Sequence, residues 1–123
     1  MMTPTVRGVY VADVTGIVPW RDTKHCVCVS VATGKYVLIN TRHDKSHDDF
    51  MLSPSDYGFL MGKGRYLSCS LAFDISADRL MRKVGILSTD DTHKMAGKVI
   101  RSKTIPKADK NIIIDELREA LRE

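Results

Sequence analysis

At 123 residues the chain has room for one modest hydrophobic core. With 43% apolar and 28% charged residues it reads as globular, and no apolar run nears the ~20 residues of a membrane helix. The net charge of +4 is unevenly placed: 16 Lys/Arg face 10 Asp and no Glu over residues 1–108, and 3 Lys/Arg face 5 Asp/Glu over residues 109–123. A basic body favours an acidic partner, nucleic acid among them, through attraction to phosphate; ordinary solubility charge gives the same balance. The opening Met1-Met2-Thr3-Pro4-Thr5 lacks the basic flank and apolar stretch of a secretion signal, so a cytoplasmic location and no membrane association are expected.

In chain order, residues 7–14 read as a first strand and residues 15–23 as a loop holding Gly16, Pro19 and Trp20. Residues 24–31, rich in valine and cysteine, form a second strand. The turn Ala32-Thr33-Gly34 sends the chain back along residues 35–41, which is the spacing of an antiparallel meander. The charged stretch 42–49 is a loop, and residues 50–52 form a short strand. Ser53, Pro54 and Asp56 are the cap, first position and acidic first turn of a short helical element that ends by Gly58 and Gly62. Strands are expected at 65–70 and 73–76, then a turn or short helix at 77–83 in a basic stretch leading to Gly85. A helix over 88–103 starts at Ser88, with Asp91 placed to complete a capping box, and turns Met95 and Val99 inward, with Ala96 and Ile100 beside them. Pro106 breaks it, and a last helix over 108–122 carries the stripe Ile112, Ile113, Leu117, Ala120 and Leu121.

Cys26 and Cys28 alternate on one strand face and Cys69 is a third; an odd number cannot all pair, and core packing outweighs a zinc reading. His43 and His47 lie among three carboxylates, but their spacing converges on a metal only on a helix, so this stretch reads as a solvated loop; no metal and no cofactor are expected. Lys24, His25, Thr41, Arg42 and His43 could act together if the loops after the first and third strands converge. Together they would offer a proton acceptor, a proton donor and cations, the set that general acid–base chemistry on a charged substrate needs. Histidine titrates near neutrality and suits either proton role. The plain alternative is that these are exposed loop polars. Trp20, Tyr10, Tyr36 and Tyr66 can stack unpaired bases or simply pack.

Gly8-Val9-Tyr10-Val11-Ala12-Asp13, then Val27-Cys28-Val29-Ser30-Val31, then Tyr36-Val37-Leu38-Ile39-Asn40-Thr41, in that order, resemble the first three strands of the PemK/MazF-like toxins. Ser55-Asp56-Tyr57-Gly58-Phe59-Leu60, Arg65-Tyr66-Leu67-Ser68-Cys69 and the closing "G-x-L-S, helix" at Gly85–Ser88 continue the resemblance over residues 7–105. It implies a mainly β fold with C-terminal helices: a small SH3-like barrel of five or six strands with a closing helix over 1–108. The amphipathic helix over 109–123 packs on or extends the same domain. It also implies a toxin-type protein that binds single-stranded RNA as a metal-independent endoribonuclease, with an antitoxin protein and a second copy of itself as partners. On this reading Thr41, Arg42, Lys24 and His25 are the catalytic candidates, and Arg21, Trp20, His43, Lys45 and Arg65 the nucleic-acid contacts. Active members carry an Arg-Pro before the valine-rich strand. Lys24-His25 stand there instead, which leaves a non-catalytic interaction module on the same scaffold as the alternative.

Overall fold

The computed structural model describes residues 2–122; Met1 and Glu123, the outer ends of the two expected segments, lie outside them. Seven strands and two helices follow one another: β1 (Gly8–Asp13), β2 (Thr23–Ser30), β3 (Lys35–Asn40), β4 (Phe50–Leu52), β5 (Arg65–Leu67), β6 (Phe73–Asp74), β7 (Leu80–Ile86), α1 (Thr89–Ile100) and α2 (Lys107–Leu121). The strands run antiparallel in the order β4-β5-β3-β2-β1-β7. The outer edge of β3 is shared, with Lys35 and Tyr36 meeting β6 and Ile39 and Asn40 meeting β5. The fold is mainly β with C-terminal helices, as in a small barrel-like β+α protein.

The meander β1-β2-β3 reads as near-continuous apolar runs because both of its faces are buried. Val9, Val27, Val29, Val37 and Ile39 turn to one side and meet Met95 and Val99 of α1 and Ile113, Ile114 and Leu117 of α2. Tyr10, Ala12, Cys26, Cys28, Tyr36 and Leu38 turn to the other, under Ile75 and Leu80. Tyr10 and Tyr36 meet there edge to face at 6.4 Å. Burial pushes the Cys26 and Cys69 thiols up to about 12 and Cys28 to about 11, so all three are protonated core residues. α2 is also held by Glu116, whose carboxylate accepts from the N–H groups of Val31 (2.8 Å) and Ala32 (3.1 Å) and from the Ser30 hydroxyl.

Several elements differ from expectation. There are seven strands rather than five or six, because residues 80–86 form an edge strand instead of a helix or turn. Met81, Arg82 and Lys83 of β7 are exposed, so no inward apolar repeat marks it; its pairing with β1 does. Residues 53–56 make only a turn closed by Asp56 N–H to Ser53 O, and a 3-10 turn follows at Gly58–Leu60. β5 stops at Leu67, and α1 spans Thr89–Ile100 rather than 88–103. On α2 the fully inward positions are Ile113, Ile114 and Leu117; Ile112 is half-buried.

The start of α1 also differs in its partner. The Ser88 hydroxyl accepts from Asp91 N–H at 3.1 Å, as a cap should. The carboxylate of Asp91 does not return to Ser88. It accepts from the buried Tyr57 hydroxyl at 2.5 Å, and that same oxygen accepts Ser88 N–H at 3.0 Å. The phenol therefore completes the box that the carboxylate was expected to close.

Candidate functional site

A cleft of about 440 Å³ opens where the ends of β2 and β3 meet the segment 58–65. Arg21 and Thr23 reach it from the end of the β1–β2 loop and the start of β2, and Lys24 and His25 from β2. Ile39 and Thr41 come from β3 and the residue after it. Phe59, Leu60, Met61, Lys63 and Arg65 supply the facing wall. Of the residues expected from sequence, Arg21, Lys24, His25, Thr41 and Arg65 thus share one cavity. Trp20, Arg42, His43 and Lys45 do not line it.

Strand pleating sorts the members further. Neighbours on a strand point to opposite faces, so His25 shares a face with Ile39 and Thr41 while Lys24 shares the other with Leu38 and Asn40. The Lys24 ammonium donates a hydrogen bond to the Asn40 side-chain oxygen. Burial, with Arg21 nearby, lowers its pKa. The His25 ring stacks on Phe59, with centroids 5.2 Å apart and planes 24° from parallel. Burial lowers its pKa below the ordinary 6.5, and the charges of Arg82 and Arg65 lower it further. The imidazole is therefore neutral at pH 7, the form able to accept a proton. Arg82 stands near His25 because Val11 of β1 pairs with His25 on one side and Arg82 on the other. Sequence reasoning missed Arg82 because β7 was not recognised. Lys63, between Gly62 and Gly64, lines the cleft without any sequence signal of its own.

The segment 42–49 is tied down rather than freely solvated. The Asp44 side chain caps the 3-10 turn Lys45–His47 by accepting from Ser46 N–H at 2.9 Å. Asp49 is buried and takes His43 Nδ1 at 2.5 Å and Asp44 N–H at 2.8 Å, while the His43 ring leans on Tyr66. Arg42 and Lys45 are exposed. Trp20 is 99% exposed at a positive φ of 65°. Among the described residues no group of three or more His, Cys, Asp or Glu is arranged to hold a metal ion, and no helix is long and apolar enough to cross a membrane.

Asp48 fastens this segment to α1. Its carboxylate accepts from Lys98 Nζ at 3.0 Å and from Arg101 Nε and Nη2 at 2.7 Å each. The Arg101 guanidinium, with Lys98, holds its pKa at about 2 against an ordinary 3.8. A depressed carboxylate stabilises the fold fully above its unfolded value, and that contribution is lost as pH falls from 3.8 toward 2. Asp48→Asn should therefore cost about 1 kcal/mol in urea unfolding at pH 7. The difference from wild type should shrink as pH falls through about 2, where half of the Asp48 carboxyls are protonated. An equal difference at both pH values would show that the ion pairs do not stabilise the folded protein.

No protein-family model and no curated protein sequence matches the chain. Among solved structures, an endoribonuclease in complex with its cognate antitoxin, from a mycobacterial species, is similar in fold, with a TM-score of 0.58. The match covers 84% of this chain and 97% of that one at 18% sequence identity. At that identity the likeness describes the fold alone.

Proposed function

We propose that this chain is a PemK/MazF-like toxin-type protein that binds single-stranded RNA in the β2–β3 cleft and cleaves it without a metal. The observation that carries this is the meeting of Arg21, Lys24, His25, Thr41 and Arg65, from separate segments, in one cavity. The fold shared with an endoribonuclease held by an antitoxin supports it. In this reading neutral His25 accepts the 2′-hydroxyl proton as that oxygen attacks phosphorus; the P–O5′ bond breaks to leave a 2′,3′-cyclic phosphate, and the departing 5′-oxygen takes a proton from solvent water, to which His25 then returns its own. Thr41 donates to a phosphate oxygen, and Arg65 and Arg21 hold the charge that builds on the phosphorane. An antitoxin and a second copy of the chain are the protein partners, and the cytoplasm is its place.

A second reading, a non-catalytic RNA-binding module, is favoured by one feature. Lys24 stands where active toxins carry their arginine, and it is bound to Asn40 on the face away from His25. Incubating the protein with a long single-stranded RNA in EDTA decides between them. Discrete fragments are expected from wild type and from Arg42→Ala, with cleavage slowed on the order of 10²-fold in His25→Gln. Thr41→Ala should slow it as well. Salt-sensitive binding without fragments would establish the module instead, and no binding at all would remove RNA as the ligand.

A further inference from the structure

We propose that a second, smaller cavity behind the β2–β3 ends is a slot for one unpaired nucleobase of the RNA strand held in the cleft; this rests on the RNA reading above. The slot has a volume of about 160 Å³, enough for one planar ring system without its sugar and phosphate. It lies on the face of the sheet occupied by Leu38 and Asn40, opposite His25 and Thr41. Its apolar walls come from two separate stretches. Ile17 and Val18 belong to the β1–β2 loop, Leu71 to the chain between β5 and β6, and Phe73 to the start of β6.

Polar groups are few, as in sites that orient a small ligand within apolar walls. Besides Lys24 and Asn40 they are Ser68 and His47. Lys24, Asn40 and Ser68 supply donors and acceptors that the edge of a nucleobase can meet. Single-stranded RNA is recognised in this manner, with splayed bases stacked on side chains and hydrogen-bonded at their edges.

Lys24 ties the slot to the cleft, since it lines both cavities. A strand whose scissile phosphate sits beside Thr41 and His25 would pass its next phosphate over the Lys24 ammonium, leaving the attached base to turn into the slot. Trp20, exposed on the loop that carries Ile17 and Val18, is placed to stack the base beyond.

The test uses a set of short single-stranded RNAs, each with one abasic position, and three proteins: wild type, Leu71→Trp and Val18→Trp. The two variants fill the slot from opposite stretches of chain. For wild type, one abasic position should weaken binding on the order of tenfold more than its neighbours. That excess should vanish in both variants, whose affinity for intact RNA falls by the same factor. A 2-aminopurine at the sensitive position should be shielded from acrylamide in the wild-type complex, which decides the matter even where a variant fails to fold. Tight RNA binding with no such position, or with that base open to quencher, overturns the slot and leaves the cleft standing. Absence of RNA binding by folded wild type overturns both.

Discussion

A chain cut after Pro106 should not fold. Residues 107–122 carry Ile113, Ile114 and Leu117, which are 0%, 9% and 1% exposed and share one core cluster with the inner faces of β1, β2 and β3. Burying each such side chain contributes about 1.5–3 kcal/mol. Together they approach the whole stability of a typical domain, about 5–15 kcal/mol. The cut also removes Glu116, leaving two backbone N–H groups at the β2–β3 turn without their acceptor. The expected result is loss of the cooperative urea transition and of near-ultraviolet circular dichroism. A truncated chain with a two-state transition near that of wild type would mean that the sheet and α1 are sufficient alone. Whether the acid-rich stretch 109–123 opposes nucleic-acid binding by the basic body is therefore tested by charge-changing substitutions at exposed Asp115 and Glu119, not by removing the helix.

Tyr57→Phe should cost about 2–4 kcal/mol although it deletes a single oxygen. That oxygen donates to the buried Asp91 carboxylate and accepts the Ser88 N–H, so its loss strands an acceptor and a donor at the start of α1. A buried polar group without its partner is the expensive case. The phenylalanine ring still packs beside Phe59, which lies 5.7 Å from Tyr57 and stacks on His25. RNA affinity of the folded variant should therefore stay close to wild type while the urea midpoint falls. The double variant Tyr57→Phe/Asp91→Ala should cost less than the two single changes summed. Strict additivity would show that the two groups do not interact.

The central strands were legible because each is a valine-, cysteine- or tyrosine-rich run bounded by turn residues, and Gly34 sits at φ 65° in the turn where it was expected. What misled the reading were contacts made across long sequence separations. β7 is a strand because β1 accepts it, and its own side chains face water. Asp48 looks like loop charge until Arg101, 53 residues on, is found on it. Asp91 was given a local partner, and a tyrosine 34 residues earlier took the place. The cleft was legible in part: five of nine candidates line it because they lie at strand ends that the meander brings together. Lys24 and His25 looked like one unit because they adjoin in sequence, and the pleat directs them to opposite faces.

The two-sided burial of β1, β2 and β3 has a consequence for how the cleft can respond to a ligand. Backbone amides such as those of Val27, Cys28, Val37 and Leu38 are sealed on both faces, so their hydrogens should be released to solvent only when the whole molecule opens. His25 and Ile39 stand on this slow-exchanging floor. Phe59, Met61 and Lys63 stand on a 3-10 turn and a glycine-flanked bend, with Met61 82% exposed at φ 55°. A strand entering the cleft thus meets one anvil and one jaw, and of these two walls it is residues 58–64 whose exchange rates should change when it binds.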